Sequence, residues 1–247
     1  MRVIIVKSLA EMGKEAGAII AAGMRAKAHY VLGLATGSTP IPLYDELIRL
    51  HKAESLDFST TVSFNLDEYI GLPPTHDQSY RYFMNQHLFD RVNVVKANTH
   101  VPDGMTDDIE THCERYEEMI DDVGGTDCQV LGIGGNGHIG FNEPGSSLAS
   151  RTRAVKLTEA TIRDNSRFFK SMDEVPKRAI TMGIGTVLEA EKILLLATGT
   201  NKVKAVAAAL EGPVSVKVPA SALQLHPDVT YVITEDAAAG LTFNFRS

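Results

Sequence analysis

The sequence predicts an α/β protein with a doubly wound, mostly parallel sheet and helices on both faces. Short apolar, strand-like runs alternate with amphipathic helical segments, and this alternation favours parallel strands joined by helical crossovers. The runs at 30–35 and 192–197 are almost entirely apolar, as expected for strands that are buried on both faces. Because no repeat, linker or low-complexity stretch interrupts the 247 residues, we expect a single Rossmann-like domain over 1–247.

Each predicted element follows from hydrophobic periodicity and from the residues that start or stop helices. In the first half we expect strands at 3–6, 30–35 and 61–66, and helices after the Ser8/Glu11 capping box, over 41–50 and around 79–89. In the second half we expect helices over 109–123, 158–168 and 203–210, and strands at 129–133, 179–183, 192–197 and 229–233. Gly124-Gly125 and Gly212 mark the ends of two of these helices.

The overall charge argues against partners with a dense negative surface. A formal net charge of -7 provides no basic face for nucleic acid or an anionic membrane, although a local pocket can still bind an anionic small molecule. Cys113 and Cys128 form no C-x-x-C pair or disulfide framework, and we expect Cys113 to be a packed, reduced thiol. The N-terminal apolar run is too short for a signal peptide, and no apolar stretch is long enough to span a membrane, so we predict a cytoplasmic protein.

Four predicted strands end in segments that carry polar and charged residues. These segments are 36–39, 67–68, 136–143 and 199–202. In parallel α/β folds, ligands bind outside the carboxyl ends of the strands. If the four strands share a sheet, the segments therefore meet at one crevice, and that convergence indicates a site more strongly than any single motif does.

The segment Thr36-Gly37-Ser38-Thr39 lies between a buried strand and a helix. Backbone N–H groups and hydroxyls in such a position can hold a phosphate. The alternative is an ordinary turn in which Ser38 or Thr39 caps the helix. No G-K-[ST] ending is present, so a phosphorylated metabolite fits better than ATP. Arg167 and Lys202 become candidate phosphate ligands only because their segments approach the same crevice.

The loop LGIGGNGHIGFNEPG at 131–145 brings acid/base groups to the end of a strand. Asn136, His138 and Glu143 lie within it, and a histidine beside a carboxylate is suited to general acid/base catalysis. Asp67 is a candidate general base, because partial burial would raise its pKa toward neutrality. The rival interpretation is a metal bound by Asp67, Glu68, His138 and Glu143. No H-E-x-x-H, C-x-x-C or D-x-D spacing supports it, and we expect no metal.

Gly132, Gly134 and Gly137 in this loop form the G-x-G-x-x-G pattern of a dinucleotide site. That pattern requires a helix to begin at the third glycine, so that the helix N-terminus meets the pyrophosphate. Here Gly140 and Pro144 fall within the would-be first turns of the helix. We therefore reject a nicotinamide cofactor and predict that the protein uses no cofactor.

Taken together, these motifs resemble those of the glucosamine-6-phosphate deaminases, isomerising hydrolases that convert glucosamine 6-phosphate to fructose 6-phosphate and ammonia. The resemblance extends over nearly the whole chain in the family's order. The matching segments are LGLATGSTP at 32–40, NLDEYIGL at 65–72, SYRYFM at 79–84, GNGHIGFNEPGSSLASRTR at 135–153, NSRFF at 165–169, VPKRAITMGIGT at 175–186 and SALQLHPDV at 221–229.

The resemblance implies a role for each candidate residue. Asp67 would move a proton between C2 and C1 of the sugar, and His138 would transfer the proton that opens the pyranose ring. Glu143 would set the charge and orientation of His138. Residues 36–39, Arg167 and Lys202 would hold the 6-phosphate. An aldose–ketose proton shift of this kind needs no redox cofactor.

The chain also departs from the family pattern. Asn136 stands where many members have an acid, so it can orient a neighbour by hydrogen bonding but supplies no charge. Val155 stands where the allosteric hexameric members have a lysine, and the C-terminus is shorter. We therefore expect an enzyme that is not activated by N-acetylglucosamine 6-phosphate, and either a monomer or a homo-oligomer. The segment 157–180, with its polar helix and Arg167, is a candidate lid.

Two other functions stay open at this point. The 6-phosphogluconolactonases are similar in fold and have a G-H loop, but their loop continues T-A-S-L-F-P-like, where this chain has I-G-F-N-E-P at 139–144. A lactonase also needs no C2 base. A non-catalytic sugar-phosphate sensor would keep the phosphate segment, but such sensors are attached to a DNA-binding helix pair, and no such basic module occurs in the sequence.

Overall fold

Strands and α-helices mostly alternate along residues 1–242, the part of the chain that the computed structural model describes, apart from the side chains of Asp164 and Phe168. The strands are β1 (Arg2–Val6), β2 (Val31–Leu34), β3 (Val62–Asn65), β4 (Asp67–Tyr69), β5 (Thr99–His100), β6 (Cys128–Leu131), β7 (Arg153–Lys156), β8 (Arg178–Thr181), β9 (Ile193–Ala197) and β10 (Val229–Thr234). The α-helices are α1 (Leu9–Ala26), α2 (Ile41–Glu54), α3 (Tyr80–His87), α4 (Ile109–Asp122), α5 (Glu159–Asn165), α6 (Ile184–Leu188) and α7 (Val203–Glu211).

Seven strands form one parallel sheet, in the order β1-β10-β9-β6-β2-β3-β5. Every residue of β2, β6, β9 and β10 is buried, because helices flank the sheet on both faces. The predicted doubly wound, mostly parallel α/β fold is confirmed. The four strands that precede the candidate segments are adjacent, in the order β9-β6-β2-β3, so their carboxyl ends lie side by side.

A second, smaller sheet was not predicted. Its three antiparallel strands lie in the order β4-β8-β7. The strand predicted at 179–183 is β8, and it belongs to this sheet rather than to the parallel one. The chain passes from one sheet to the other at Leu66, whose N–H donates to Leu34 O of β2 and whose carbonyl accepts from Met182 N. Short strands of this kind have little periodicity, which explains why the sequence pattern missed β4 and β7.

The helix ends follow the predicted capping chemistry. Ser8 Oγ accepts from Glu11 N at 3.2 Å at the start of α1. The helix predicted over 158–168 is α5, which continues as a 3₁₀ turn at Ser166–Phe168. Another 3₁₀ turn, Thr200–Lys202, precedes α7, which runs on to Glu211. None of the described helices is long and apolar enough to cross a membrane.

Candidate active site

A cleft of about 770 Å³ opens at the carboxyl ends of β9, β6, β2 and β3. Its volume falls in the usual range for small-molecule sites. Eight of the ten residues that the sequence singled out line this cleft, and they are Thr36, Gly37, Ser38, Thr39, Asp67, His138, Arg167 and Lys202. Asn136 and Glu143 are not part of the lining and lie behind His138. The segments therefore converge at one crevice as the topology argument required.

Asp67 is the first residue of β4 and is only 7% exposed. Burial raises the pKa of its carboxyl to about 8, and the nearby Glu68 adds to the effect. Within residues 1–242, no hydrogen bond to the Asp67 carboxyl offsets the cost of burying its charge. Its Oδ2 lies against Gly140, where an added Cβ atom would come within 3.5 Å. A buried carboxyl with a pKa near neutrality can both accept and return a proton.

Glu68 is buried beside Asp67 but is held very differently. Its Oε1 accepts from Tyr69 N at 2.8 Å and from Tyr80 N at 2.9 Å, and its Oε2 accepts from Arg81 N at 3.0 Å. Burial raises the pKa of Glu68 to about 7, although these backbone N–H groups favour the charged form. Glu68 thereby ties the N-terminus of α3, and with it Tyr80, to the wall of the cleft. The two adjacent carboxyls differ in environment: Glu68 is bound to backbone N–H groups and Asp67 faces the cleft.

These two carboxyls predict that the free energy of unfolding falls as the pH rises from 6.5 to 8. Below pH 6.5 the effect is opposed by His87, His100 and His112, because burial lowers their pKa values and the unfolded chain then binds more protons there. In the unfolded chain both carboxyls lose their protons near pH 4, whereas in the fold Asp67 and Glu68 have pKa values of about 8 and about 7. The folded protein therefore binds more protons in this window, and each one lowers stability by about 1.4 kcal/mol per pH unit. Glu143, whose pKa is lowered to about 2, stabilises the fold above its unfolded pKa, so it loses effect only below this window. Urea denaturation across pH 6.5–8 measures the slope, and a flat or rising profile would contradict the assignment.

The loop after β6 forms a tight turn around His138 rather than a helix. Gly134 N donates to His138 O, and an isolated bridge pairs Ile139 with Asn142. At Gly134 an added Cβ would lie 2.3 Å from the His138 ring, so only glycine lets the imidazole pack here. The described loop lacks the helix start that a pyrophosphate-binding turn requires. Gly134 thus allows close packing of the His138 ring, and Gly137 has a φ of +86° and packs against Val218.

Glu143 lies at the centre of a small polar network. Its Oε1 is 3.6 Å from His138 Nδ1, and its Oε2 accepts from Asn136 Nδ2 at 2.7 Å. Asn136 Oδ1 in turn accepts from His138 N at 3.1 Å. Burial raises the pKa of Glu143, but His138, the hydroxyl of Thr161 and Asn136 more than offset this and lower it to about 2. Asn136 therefore acts on the His138–Glu143 pair through hydrogen bonds, consistent with its lack of charge.

Residues 36–39 connect β2 to α2. Gly37 has a φ of +91°, a left-handed conformation that favours glycine. The residue that caps α2 is Pro40, and no side chain makes a capping hydrogen bond there. Ser38 and Thr39 thus do not cap the helix, contrary to the alternative that the sequence allowed. Pro42 has no N–H, but the N–H groups of Ile41 and Leu43 in the first turn receive no side-chain cap and can meet an anion.

Several cleft residues with chemically active side chains were not singled out from the sequence. Tyr80, Thr161 and Arg163 line the cleft together with the predicted residues. Arg163 joins Arg167 and Lys202, so three cations line a cleft in a protein of net charge -7. Tyr80 lies in the segment SYRYFM, which matches the family pattern but to which the sequence analysis gave no role. The N-cap pattern at Thr158 and Thr161 was a signal that could have drawn attention to Thr161.

Aromatic side chains close one wall of the cleft. Tyr69 contacts Tyr80 with ring centroids 4.9 Å apart, and Tyr80 stacks on Phe141 at 6.2 Å. Phe169 meets the edge of Tyr69 at 5.9 Å. Leu157 belongs to the same apolar cluster. The segment 157–180 therefore packs on this wall through apolar and aromatic contacts.

No ready metal site lies in the described part of the chain, where no three His, Cys, Asp or Glu side chains come together as a ligand set. Both cysteines are buried and free. Burial raises the pKa of the Cys113 thiol to about 11 and that of Cys128 to about 12, so neither provides a thiolate at neutral pH.

A family model for glucosamine-6-phosphate isomerases and 6-phosphogluconolactonases matches residues 7–232. The chain belongs to this family. A glucosamine-6-phosphate deaminase of Thermoanaerobacter pseudethanolicus is 52% identical over 239 residues, which cover 97% of this chain and 94% of the relative. A solved monomeric glucosamine-6-phosphate deaminase is 47% identical, with a TM-score of 0.95 over 97% of this chain and 100% of the other. A 6-phosphogluconolactonase from Leishmania guyanensis is 21% identical over 98% and 99% of the two chains, with a TM-score of 0.77, and shares the fold.

Proposed function

We propose that the protein converts glucosamine 6-phosphate and water to fructose 6-phosphate and ammonia. The observation that carries this proposal is one cleft lined by a buried base, a histidine backed by a carboxylate, three cations, and a segment that leads into a helix start without a side-chain cap. Relatives with about half of their residues identical over nearly the whole chain are deaminases, which supports this branch of the family over the lactonases.

The phosphate end of the substrate is assigned to residues 36–39, Arg167 and Lys202. The N–H groups at the start of α2 and the hydroxyls beside them suit a dianion, and the guanidinium and ammonium groups add charge-assisted hydrogen bonds. Holding the phosphate here would extend the sugar carbons along the cleft toward β3 and β6. Arg163 lines the same cleft and is available to the same anion.

Ring opening is assigned to His138. The hydroxyl on C1 must lose a proton and the ring oxygen must gain one, and an imidazole can carry that proton from one oxygen to the other. Glu143, which lies 3.6 Å from His138 Nδ1, stabilises the imidazolium that forms transiently. The product of this step is the open-chain amino aldehyde.

The carbon chemistry is assigned to Asp67. Its carboxylate removes the proton from C2 while the C1 carbonyl oxygen gains a proton, which forms an enolamine. The carboxyl then returns a proton to C1 while the nitrogen on C2 loses one, which gives a C2 imine. Its pKa of about 8 suits both halves of this transfer, because the carboxyl is neither too weak a base nor too weak an acid near neutral pH. Water adds to the imine, ammonia leaves, and the 2-ketose phosphate remains.

One assay tests the proposal against both alternatives. The wild-type protein should release ammonia and fructose 6-phosphate from glucosamine 6-phosphate in equal amounts, without added metal or nucleotide. Coupled detection of both products measures this. Hydrolysis of 6-phosphogluconolactone without ammonia release would favour the lactonase, and binding of the sugar phosphate without turnover of either substrate would favour the sensor.

We further infer that the enzyme needs no activator. Val155 offers no charge where the allosteric members have a lysine, and a solved relative is monomeric. The same assay should therefore give hyperbolic saturation that N-acetylglucosamine 6-phosphate does not change. The segment 157–180 is proposed as a lid, since it carries Arg167 and Phe169 to the cleft. We place the activity in the cytoplasm, where sugar phosphates are held.

A further inference from the structure

Two threonines at the start of α5 contact the carboxylate behind the candidate catalytic histidine. Thr158 is the N-cap of α5, and its Oγ1 accepts from Thr161 N at 3.2 Å. The hydroxyl of Thr158 also lies 3.0 Å from Thr161 Oγ1 and 3.3 Å from Glu143 Oε1. Thr161 Oγ1 donates to Glu143 Oε1 in the shortest of these contacts. The hydroxyls thus form a chain from Thr158 through Thr161 to the carboxylate.

The chain ends on the same oxygen that faces the histidine. Glu143 Oε1 accepts from Thr161 and lies 3.6 Å from His138 Nδ1, which is longer than a hydrogen bond. His138 Nδ1 is buried and has no hydrogen-bond partner among the described residues. The other carboxylate oxygen is held by Asn136 Nδ2 at 2.7 Å. Both oxygens are therefore anchored by neutral donors, and the carboxylate is kept from closing on the imidazole.

We propose that Thr161 is a positioning residue for ring opening, which holds Glu143 Oε1 at a distance from His138 and so limits how strongly the carboxylate stabilises the imidazolium. This inference rests on the proposed function of the His138–Glu143 pair. A histidine in a tight ion pair would retain its proton and transfer it poorly to and from the sugar oxygens. Thr161 lines the cleft, is 7% exposed and comes from the segment proposed as a lid. Packing of α5 against the loop after β6 would therefore place the Glu143 carboxylate correctly relative to His138.

The other ionisable groups around the pair are left unchanged by a substitution at Thr161. Those that share the cleft with His138 are Asp67, Tyr69, Asp77, Tyr80, His87, Arg163, Arg167 and Lys202. Glu159, in the first turn of α5, is exposed. An altered pH response in a Thr161 variant can therefore be assigned to the Glu143 contact.

The experiment compares Thr161→Val with wild type and with Thr161→Ser. Valine has nearly the shape of threonine but cannot donate, so Oε1 becomes free to approach Nδ1. We expect the midpoint of the His138 imidazole titration, followed by NMR without substrate, to rise by about half a unit to one unit. Activity on glucosamine 6-phosphate near pH 6.5 should fall about three- to tenfold through kcat rather than KM. Serine keeps the donor and should restore both values.

Thr186→Val is the matched control. Thr186 is also 7% exposed, and its hydroxyl donates to a carboxylate, Glu117 Oε1, at 2.7 Å, away from the cleft lining. The Thr186→Val variant should lose about as much stability as Thr161→Val without changing the His138 titration. An unchanged titration in folded Thr161→Val, or an equal shift in Thr186→Val, would overturn the inference. Because the titration needs no turnover, failure of the deaminase assay would be recognised separately.

Discussion

Replacement of Asp67 with asparagine is expected to abolish exchange of the C2 proton with solvent while substrate still binds. The amide keeps the shape of the carboxyl but cannot accept the proton, and loss of a general base costs about 10²- to 10⁴-fold in rate. Proton exchange followed by NMR in deuterated buffer measures the chemical step, and calorimetric titration with glucosamine 6-phosphate measures binding. Undiminished exchange in the variant would refute the assigned role.

The Asp67→Asn variant should also be more stable than wild type at pH 8, by about 1–3 kcal/mol. Burial of an ionising carboxyl without a compensating hydrogen bond destabilises the fold, and the amide removes that cost. Asp127→Asn is the matched control. Asp127 is 4% exposed but precedes β6, and its carboxylate bonds Lys27 and Val31 N at the opposite end of the sheet. That variant should lose stability and keep C2 exchange.

Replacement of His138 with alanine is expected to damage turnover of the closed-ring sugar more than that of an open-chain analogue. The imidazole is needed to move a proton between the C1 hydroxyl and the ring oxygen, and this step is absent when the ring is already open. We expect a loss of about 10²- to 10⁴-fold on glucosamine 6-phosphate. An analogue without the 4- and 5-hydroxyls, which can close neither a furanose nor a pyranose ring, should lose much less. Rates on both substrates are measured at the same pH.

His87→Ala provides the comparison for His138→Ala. His87 also lines the cleft, with its ring packed on Phe83 at 4.3 Å, but no carboxylate contact of the His138–Glu143 kind is seen for it in residues 1–242. The His87→Ala variant should change the rates on the closed-ring sugar and on the open-chain analogue by similar factors. Equal damage to both substrates in His138→Ala would eliminate the ring-opening role and leave the histidine with a part in binding only.

The parallel sheet and the position of the cleft followed from sequence patterns because their signals are local. The apolar runs at 30–35 and 192–197 predicted β2 and β9, and the turn residues behind them predicted where polar segments begin. Parallel strands place their carboxyl ends on one edge, so convergence at the cleft followed from topology alone. Eight of the ten predicted site residues line that cleft, while their individual roles stay predictions for the variants above.

Other features depended on contacts between segments that are distant in the chain. The antiparallel sheet joins β4 to β8, more than one hundred residues later, and it is this pairing that buries Asp67. The contact between Thr161 and Glu143 joins the start of α5 to the loop after β6. No periodicity or motif marks either contact, because each depends on which surfaces meet after the helices have packed.

By itself the sequence determined the α/β class, the segments at the strand ends and the kinds of side chain present in them. Hydrophobic periodicity, turn residues and motif spacing are all properties of short stretches of the chain. The tertiary structure decided how those groups act. It buried Asp67 without a hydrogen bond and so brought its pKa to about 8, tied its neighbour Glu68 to α3, and placed Glu143 between His138 and Thr161. Proton affinity and orientation depend on burial and on three-dimensional neighbours, which the order of residues does not state.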